Sequence, residues 1–492
     1  MGNEAVGAMK TTGLKISAVV PLYRVEAYLP ELLQSLAAQE PGDYDLEVVF
    51  VDDGSPDSSG EIAQRWIDEG GMRGMVIRQE NAGVSVARNK GLDTVTGDWV
   101  TFPDSDDVLA VDYFQKVAEF IRADRGSSLV SARMLRLMEP DPVPHDVHAL
   151  QFRFMAGTRR VPMGRYPDFF QLNVASVFFR RQEIADRGVR FRAGMHASED
   201  ALFVAEFLLK GQREPVLGLA ADAHYIYRRR ASRDSAVDRF REDPDSYIGR
   251  FVEGYAPLMS VAAERGHVPG WLQSMFLYEC QWILPVQLTT HGYADVLSEE
   301  ERQRVLDALA HCARFVDEDR LFEYDATALP LESRLLLQLL ADRDIPSWVG
   351  AYHDRDGRVD VPVAAGSRVE VHAKDGAVDA SGDGYVVPDY FGQQLLVHWI
   401  GRIPRGAHIV VDGETRHVVR RRWVDTPAQQ RDRHRRVEMD AAKHAIPARE
   451  HEVRVWKPIP GPGGDRSKRI TWRVSLTRRR VVRALKRFFR VD

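Results

Sequence analysis

The first hundred residues alternate short, β-rich apolar runs with segments of helical spacing, and no other feature restricts the possible fold as strongly. The apolar runs lie at residues 15–21, 46–53, 74–79 and 98–102. Helical spacing is clearest at Leu29, Leu32, Leu33 and Leu36. Such alternation predicts an open, mostly parallel α/β sheet with helices on both faces. Ligands of these sheets bind beyond the carboxyl ends of the strands.

Three of the predicted strands end in proline or in carboxylates, at Pro21, at Asp52 and Asp53, and at the sequence "PDSDD" of residues 103–107. Because the carboxyl ends of parallel strands share one edge, we expect these ends to face one crevice. Asp53 could accept hydrogen bonds from a base or ribose, although "DDGSPD" is also strong turn chemistry.

The three aspartates of residues 104–107 repel one another unless a cation lies between them. In an extended segment, Asp104 and Asp106 point the same way. Carboxylate oxygens suit Mg²⁺ or Mn²⁺, and a metal held there could bridge the diphosphate of a nucleotide donor. The alternative is a solvated turn after a strand.

Composition excludes some classes of protein. The formal net charge of the 492 residues is −5, so we expect no binding to nucleic acid on charge grounds. The two cysteines, Cys280 and Cys312, form no CxxC pattern and are predicted to be buried thiols in a reducing compartment. The N-terminus lacks an apolar segment of signal-peptide length, and no run approaches the ~20 apolar residues of a membrane span. We therefore expect a cytoplasmic protein.

Changes in periodicity divide the chain into four parts. Residues 14–240 are the predicted α/β domain, 241–348 a helical linker or accessory region, and 351–457 a small β-sandwich-like domain with alternating valines. A linker is predicted to begin at Pro458. Residues 465–492 form a basic tail with eleven Lys or Arg against two Asp. As a helix this tail would be amphipathic, and it could lie on an anionic membrane surface at the inner face of the cell membrane or pack on the protein itself.

Four segments occur in a characteristic order: "VVPLYRVEAYLPELLQSLAAQ", "VDDGSPDSS", "NAGVSVARNKGL" and "GDWVTFPDSDDVL". They closely resemble the nucleotide-sugar-binding half of the family 2 inverting glycosyltransferases, which have the Rossmann-like GT-A fold. The resemblance covers residues 14–111 closely and extends more loosely to about residue 230. Pro103 departs from the family, which more often has an aliphatic residue there, but both carboxylates of the Asp-x-Asp motif are present.

The resemblance implies a role for each matching residue of the donor site. The nucleoside would be bordered by Pro21, Tyr23 and Glu26, with Tyr23 near the base, and Asp53 would meet the base edge. Asn81 and Arg88 would lie near the diphosphate and the sugar. Asp106 would be the direct ligand of Mn²⁺ or Mg²⁺. Asp104, with Ser105 beside it, would contact ribose or sugar and could share the metal, and Asp107 would cap the turn into the next helix.

The resemblance also implies a catalytic base. The sequence "SEDALF" supplies Glu199 and Asp200 at the start of a predicted helix, where Asp200 matches the base and Glu199 would orient the acceptor. The alternative is simple helix capping. Further on, "HYIYRRRASRDS" offers His224, Arg228 and Arg230 for the diphosphate or an anionic acceptor. A solvated basic loop is the alternative there.

The order of domains resembles that of bacterial wall teichoic acid glycosyltransferases. This implies transfer of a hexose or N-acetylhexosamine from a nucleotide-sugar, expected to be a UDP-sugar, to a hydroxyl of an anionic cell-surface polymer. It also implies a homo-oligomer formed through the β domain. Alternatives are another exopolysaccharide, capsule or lipid-linked glycan as acceptor, or an inactive glycan-binding relative. A nucleotidyltransferase should carry a glycine-rich loop near the N-terminus, and "VVPLYRVEAYL" has none.

Overall fold

The computed structural model describes eleven segments of the chain. They are residues 13–124, 126–232, 242–284, 296–353, 358–373, 376–378, 382–404, 406–416, 418–419, 451–459 and 466–474.

The predicted alternation of strands and helices is confirmed at the N-terminus. The elements are β1 (Leu14–Leu22), α1 (Leu29–Ala37), β2 (Tyr44–Asp53), α2 (Ser59–Asp68), β3 (Gly74–Gln79), α3 (Val84–Leu92) and β4 (Trp99–Thr101). Strand β1 pairs in parallel with β2 and β4, and β2 pairs in parallel with β3. This order, β3-β2-β1-β4, places the carboxyl ends of the strands along one edge.

Beyond β4 the sheet is mixed, and the prediction of a mostly parallel sheet is wrong there. The further elements are β5 (Val108–Leu109), α4 (Tyr113–Ala123), β6 (Leu129–Met138), β7 (Pro144–His145), a 3₁₀ helix (Gln151–Phe154), β8 (Arg159–Pro162), β9 (Val177–Arg180), α5 (Arg181–Arg187), α6 (Glu199–Leu209) and β10 (Val216–Arg229). Strand β9 lies antiparallel between β4 and β6, and β10 is antiparallel to β5. The irregular segment that precedes β9 reverses the chain, and its sequence has no periodicity that would reveal this.

The helices predicted between residues 245 and 348 are present. They are α7 (Asp245–Tyr247), a π-helix (Ile248–Tyr255), α8 (Ala256–Glu264), α9 (Gly270–Ile283), α10 (Glu299–Arg314), α11 (Glu318–Glu323) and α12 (Leu331–Leu340). One hydrophobic core joins residues such as Phe251 and Leu272 of these helices to Phe203 of α6 and Phe179 of the sheet. The region therefore packs as part of the α/β body and is not a linker. Cys280 and Cys312 are buried free thiols within it, as predicted.

The C-terminal strands form two sheets over a shared apolar core. One sheet has the order β15 (Gly382–Val386), β16 (Leu396–Gly401), β12 (Val359–Ala364), β11 (Ala351–His353) and β19 (Val418–Val419). The other has the order β14 (Gly376–Val378), β13 (Val369–Ala373), β17 (His408–Val411) and β18 (Glu414–Arg416). Val361 and Trp399 of the first sheet share a core with Val371 and Ile409 of the second. This arrangement agrees with the predicted sandwich-like domain.

The last described residues form an antiparallel pair, β20 (His451–Ile459) and β21 (Arg466–Val474). The predicted linker therefore begins too early, since Pro458 lies in β20 opposite Ser467. A proline is tolerated here because a two-stranded pair consists of edge strands. The first part of the basic tail is a strand, while residues 475–492, with the predicted amphipathic helix, lie outside the described residues. Among the residues described, no helix has the length and apolar character needed to cross a bilayer.

Candidate active site

The parallel strands bring the predicted donor residues to one edge of the sheet. At the end of β1, Leu22 lies opposite Asp52 of β2, which confirms that these two strand ends adjoin. Just after β1, the Tyr23 side chain is 43% exposed, with the guanidinium carbon of Arg24 lying 5.2 Å from its ring centroid. An exposed ring at this edge is suited to stacking on a base.

Glu26 is engaged in holding the next helix. Its carboxylate accepts a hydrogen bond from the Ser58 N–H at 2.9 Å, and its own N–H donates to Asp57 at 3.1 Å. These bonds tie the end of β1 to the N-terminus of α2. Glu26 therefore shapes the border of the predicted nucleoside site.

Asp53 is buried and anchors the loop that leads from β3 to α3. Its Oδ1 accepts hydrogen bonds from Gln79 Nε2 at 2.7 Å and from the Ala82 N–H at 2.9 Å, and its Oδ2 accepts one from the Gly83 N–H at 2.9 Å. Asn81, within this loop, is exposed. Direct contact of Asp53 with a base stays a prediction. The observed hydrogen bonds show that Asp53 holds the loop between β3 and α3 in place.

Arg88 joins two groups that are far apart in sequence. Its Nη1 donates to Glu199 Oε1 at 2.8 Å, and its Nη2 donates to Asp104 Oδ1 at 2.9 Å. The Arg88 side chain is 6% exposed and lies against the ring of Phe191. Despite burial, the two carboxylates raise the pKa of Arg88 above its ordinary value, so it stays charged. The acidic cluster and the predicted catalytic pair thus form one site.

The three aspartates after β4 have different surroundings. Asp106 forms an ion pair with Arg230, whose Nε and Nη2 lie 2.9 Å and 2.7 Å from its Oδ2. Burial, together with the charge of Asp106, raises the pKa of Asp104, and the neighbouring Arg88 opposes this rise. The negative charges therefore remain incompletely compensated.

Asp107 is fully buried. The prediction that it caps the turn before α4 is wrong, because its side chain is bonded to β10 instead. Its Oδ2 accepts a hydrogen bond from the Tyr225 hydroxyl at 2.6 Å, and its Oδ1 accepts one from the Arg228 N–H at 2.7 Å. Burial and the charges of Asp106 and Asp104 raise its pKa well above the ordinary value. Strand β10 lies antiparallel to β5, and this pairing brings both hydrogen-bond donors to Asp107.

Glu199 and Asp200 begin helix α6, as predicted. Asp200 Oδ1 accepts a hydrogen bond from the Ala201 N–H at 2.7 Å. Burial and the charge of Glu199 raise the pKa of Asp200 to about 8, against the opposing effect of Arg88. A carboxylate with a pKa near the working pH is an effective general base.

The basic segment of β10 is neither a solvated loop nor a set of free phosphate ligands. His224 is buried within the strand, opposite Arg133. Arg228 is also buried: its Nη1 donates to Glu139 at 2.6 Å, its Nη2 donates to Glu31 at 2.9 Å, and its Nε donates to the Asp106 carbonyl at 2.8 Å. Among the bonds described for these three residues, the ion pair of Arg230 with Asp106 is the one that reaches a carboxylate of the predicted metal motif.

The residues present fit a divalent cation in part. The side chains of Asp104 and Asp106 are 34% and 21% exposed, so both offer accessible oxygen ligands beside one another. Water and phosphate oxygens would have to complete the coordination. Within the described segments, the group of three side chains with ligand atoms inside 4.8 Å lies elsewhere, at His196, Asp243 and Asp245.

Comparison with known proteins agrees with this geometry. Residues 17–185 match the sequence model of the family described as "Glycosyl transferase family 2". The chain therefore contains a glycosyltransferase family 2 domain in its N-terminal part. Its mixed α/β sheet is the GT-A-like arrangement that the sequence resemblance implied.

Among its relatives are proteins of teichoic acid synthesis. The minor teichoic acid biosynthesis protein GgaA of Bacillus subtilis is 27% identical over 313 residues, which cover 63% of this chain and 68% of GgaA. The poly(ribitol-phosphate) beta-N-acetylglucosaminyltransferase TarS of Staphylococcus aureus is 28% identical over 214 residues, 44% of this chain and 35% of TarS. Glycosyltransferase GlyA of Streptococcus pneumoniae is 44% identical over 110 residues, 22% of this chain and 15% of GlyA.

The crystal structure of S. aureus TarS 1-349 in complex with UDP-GlcNAc aligns with a TM-score of 0.49 and 21% sequence identity. The alignment covers 72% of this chain and 98% of that one.

Proposed function

We propose that this protein transfers a sugar from a UDP-sugar to a hydroxyl group of a teichoic-acid-type polyol phosphate polymer, with inversion at the anomeric carbon. The observation that carries the proposal is the Arg88 bridge, which joins Asp104 of the Asp-x-Asp motif to Glu199, the neighbour of Asp200. Donor-binding and base-bearing groups therefore meet at one edge of the sheet. The named activity of TarS and the role of GgaA support the choice of donor and acceptor.

The donor half of the site can orient a nucleotide. The exposed ring of Tyr23 offers a stacking surface for the base, and the loop anchored by Asp53 presents Asn81 toward solvent at the same edge. Asp106 and Asp104 would hold a Mn²⁺ or Mg²⁺ ion. When bound, such an ion would neutralise charge that develops on the leaving diphosphate. Arg230 pairs with the Oδ2 atom of Asp106, so it would compete with the ion for that oxygen.

The acceptor half supplies proton transfer. Asp200 takes the proton of the acceptor hydroxyl while that oxygen attacks the anomeric carbon and the bond from that carbon to the diphosphate breaks. The product is a β-linked sugar from an α-linked donor, with UDP released. Arg88 holds Glu199 beside Asp200, which keeps a second carboxylate available to orient the acceptor.

A panel of UDP-, GDP- and dTDP-sugars tests the proposal, with poly(ribitol phosphate) and poly(glycerol phosphate) as acceptors. We expect UDP release that depends on the acceptor, on Mn²⁺ or Mg²⁺, and on a carboxylate at Asp200. Asp200→Asn should bind donor without turnover, and Asp106→Ala should lose metal-dependent donor binding. Absence of nucleotide release with every donor and acceptor would overturn the enzyme assignment, and full activity of either variant would overturn that residue's role.

Another cell-surface polysaccharide is the second candidate acceptor. The short match to glycosyltransferase GlyA, 44% identical over 110 residues, covers the donor half alone and states no acceptor. The match to GgaA is much longer, at 313 residues, and this length favours the teichoic acid polymer. Adding a capsular or exopolysaccharide acceptor to the panel decides between them.

Two further predictions concern partners. The tail after residue 474 would bind an anionic membrane surface, and the C-terminal β domain would mediate homo-oligomerisation. Vesicle co-sedimentation of the full chain against a chain ending at Val474 tests the first. Light scattering of the full chain against residues 1–349 tests the second, with a monomeric full chain as the contrary result.

A further inference from the structure

Ser198, the residue before the catalytic pair, has an unusual backbone conformation. Its φ of 62° and ψ of 15° lie in the left-handed region, which costs a non-glycine residue roughly 1–2 kcal/mol. Its carbonyl accepts the hydrogen bond of the Leu202 N–H at 3.0 Å and so starts helix α6. Strain of this kind persists only where the surroundings hold it.

The surroundings that hold Ser198 come from the helical region. Arg250 of the π-helix donates from Nε to the Ser198 hydroxyl at 2.8 Å, and the same Nε lies 3.3 Å from Glu279 Oε2 of α9. The Ser198 side chain also forms a hydrogen bond with Glu279. The Arg250 and Glu279 side chains are only 8% and 6% exposed. A buried ion pair contributes little net stability compared with apolar residues, so its presence points to a positional role.

We propose that Arg250 and Glu279 are positioning residues that act through the Ser198 hydroxyl to aim Glu199 and Asp200 at the acceptor. The inference rests on the proposed function and extends it. By this inference, Arg250 and Glu279 of the helical region contribute to the catalytic site, although they lie beyond the matched residues 17–185.

The same arrangement has an electrostatic consequence for Asp200. The charged groups that act on Asp200 are Glu199 beside it, Arg88 of α3 and Glu279 of α9, and the buried Tyr255 also lies within electrostatic range. The charge of Glu279 favours the protonated form of Asp200. Removal of that charge should therefore lower the pH at which Asp200 becomes a base.

The decisive variants are Glu279→Gln and Ser198→Gly. Glycine adopts the left-handed conformation without strain, so Ser198→Gly removes the hydroxyl link while sparing the fold. For both variants we expect kcat to fall at least tenfold while the Kd of UDP, measured by calorimetry, stays within twofold. In Glu279→Gln the acid limb of the kcat profile should also move to lower pH by about half a unit. Arg250→Lys, which keeps the charge, should recover part of the kcat lost in Arg250→Met.

Asp168→Asn is the matched control, since Asp168 is a buried carboxylate paired with Arg320 of α11 at 3.1 Å. It should lower the free energy of unfolding without moving the acid limb. Wild-type kcat in Ser198→Gly, or an unmoved acid limb in Glu279→Gln, would overturn the inference.

A readout independent of turnover separates this inference from the proposed function. The difference in unfolding free energy between the protein with Asp200 and the same protein with Asp200→Asn changes with pH as Asp200 titrates. Its midpoint should lie lower in the Glu279→Gln background than in the wild type. If the wild type releases no nucleotide but the midpoint is still lower in the Glu279→Gln background, the proposed function alone is refuted. Identical midpoints in the two backgrounds refute the coupling of Glu279 to Asp200.

Discussion

Replacement of Arg88 tests whether the candidate site is held together by a buried ionic bridge. Arg88→Met keeps a long apolar side chain but removes the charge and both carboxylate bonds. Arg88→Lys keeps the charge, but a single ammonium group does not reproduce the planar fork that spans Glu199 and Asp104. The two variants therefore separate the loss of charge from the loss of geometry.

The magnitude follows from the burial of the two pairs. Removal of one partner from a buried ion pair typically costs about 3–5 kcal/mol. Here the Glu199 side chain is 14% exposed and that of Asp104 is 34% exposed, so water offsets part of the loss at Asp104. We expect Arg88→Met to lower the free energy of unfolding by about 3 kcal/mol. Arg88→Lys should lose one of two charge-assisted bonds, or about 1.5 kcal/mol.

Urea unfolding at pH 5.0 and pH 8.0 measures these losses and their origin. In Arg88→Met the carboxylates of Asp104, Glu199 and Asp200 face one another without a cation. Because acid protonates Asp104 and Asp200, whose pKa values are raised, the penalty relative to wild type should shrink at pH 5.0. Arg153→Met is the control: Arg153 is equally buried, but its described bonds go to the Leu150 and Phe170 carbonyls and to the Gln171 amide.

Two results would refute this reasoning. Equal losses in Arg88→Met and Arg88→Lys would mean that the charge contributes nothing. A penalty for Arg88→Met that is as large at pH 5.0 as at pH 8.0, like that expected for Arg153→Met, would mean that packing and not carboxylate repulsion is responsible.

Three further predictions address single features of the site. Asp200→Asn should be more stable than wild type by about 5 kcal/mol at pH 8.5, with the gain vanishing toward pH 4, because a pKa raised to about 8 makes wild type lose about 1.4 kcal/mol for each pH unit between the ordinary pKa and that value; urea unfolding across pH checks this. Asp107→Asn should cost about 2 kcal/mol in thermal unfolding, since the single amide oxygen can accept only one of the two hydrogen bonds that the buried carboxylate accepts and the NH₂ group cannot accept the other, and an unchanged Tm would contradict the assignment. Gly54→Ala should weaken UDP binding more than Gly70→Ala, because both glycines have positive φ but the Cβ at position 54 would lie 2.8 Å from the Asn81 backbone nitrogen; equal effects would show that strain alone matters.

Local patterns predicted much of the donor half. The periods of the apolar residues identified β1 to β4 and the helices between them, because a buried strand and an amphipathic helix each leave a distinct repeat. Since parallel strands present their carboxyl ends to one edge, the proximity of the strand ends after β1 and β2 followed from the same pattern. Helix α6, with Glu199 and Asp200 in its first turn, was also predictable, and the ordered motifs identified the family.

Contacts between distant segments were not predictable in this way. No local repeat shows that β9 and β10 enter the sheet beside β4 and β5, so the partners of Asp107 and the burial of Arg228 were missed. The sequence offered Tyr225 only as part of a basic segment, and nothing in it distinguished Glu31 or Glu139 as partners of Arg228.

The sequence by itself determined the class of fold, the acidic strand ends and the family of the N-terminal domain, because each depends on residues close together in the chain. The tertiary structure decided how those parts become one site. Arg88 reaches Glu199 across 111 residues, and Arg250 reaches Ser198 across 52. Such bonds depend on how the whole chain folds to bury its apolar surface. That fold decides which charged groups lie close together away from water and must therefore pair with one another.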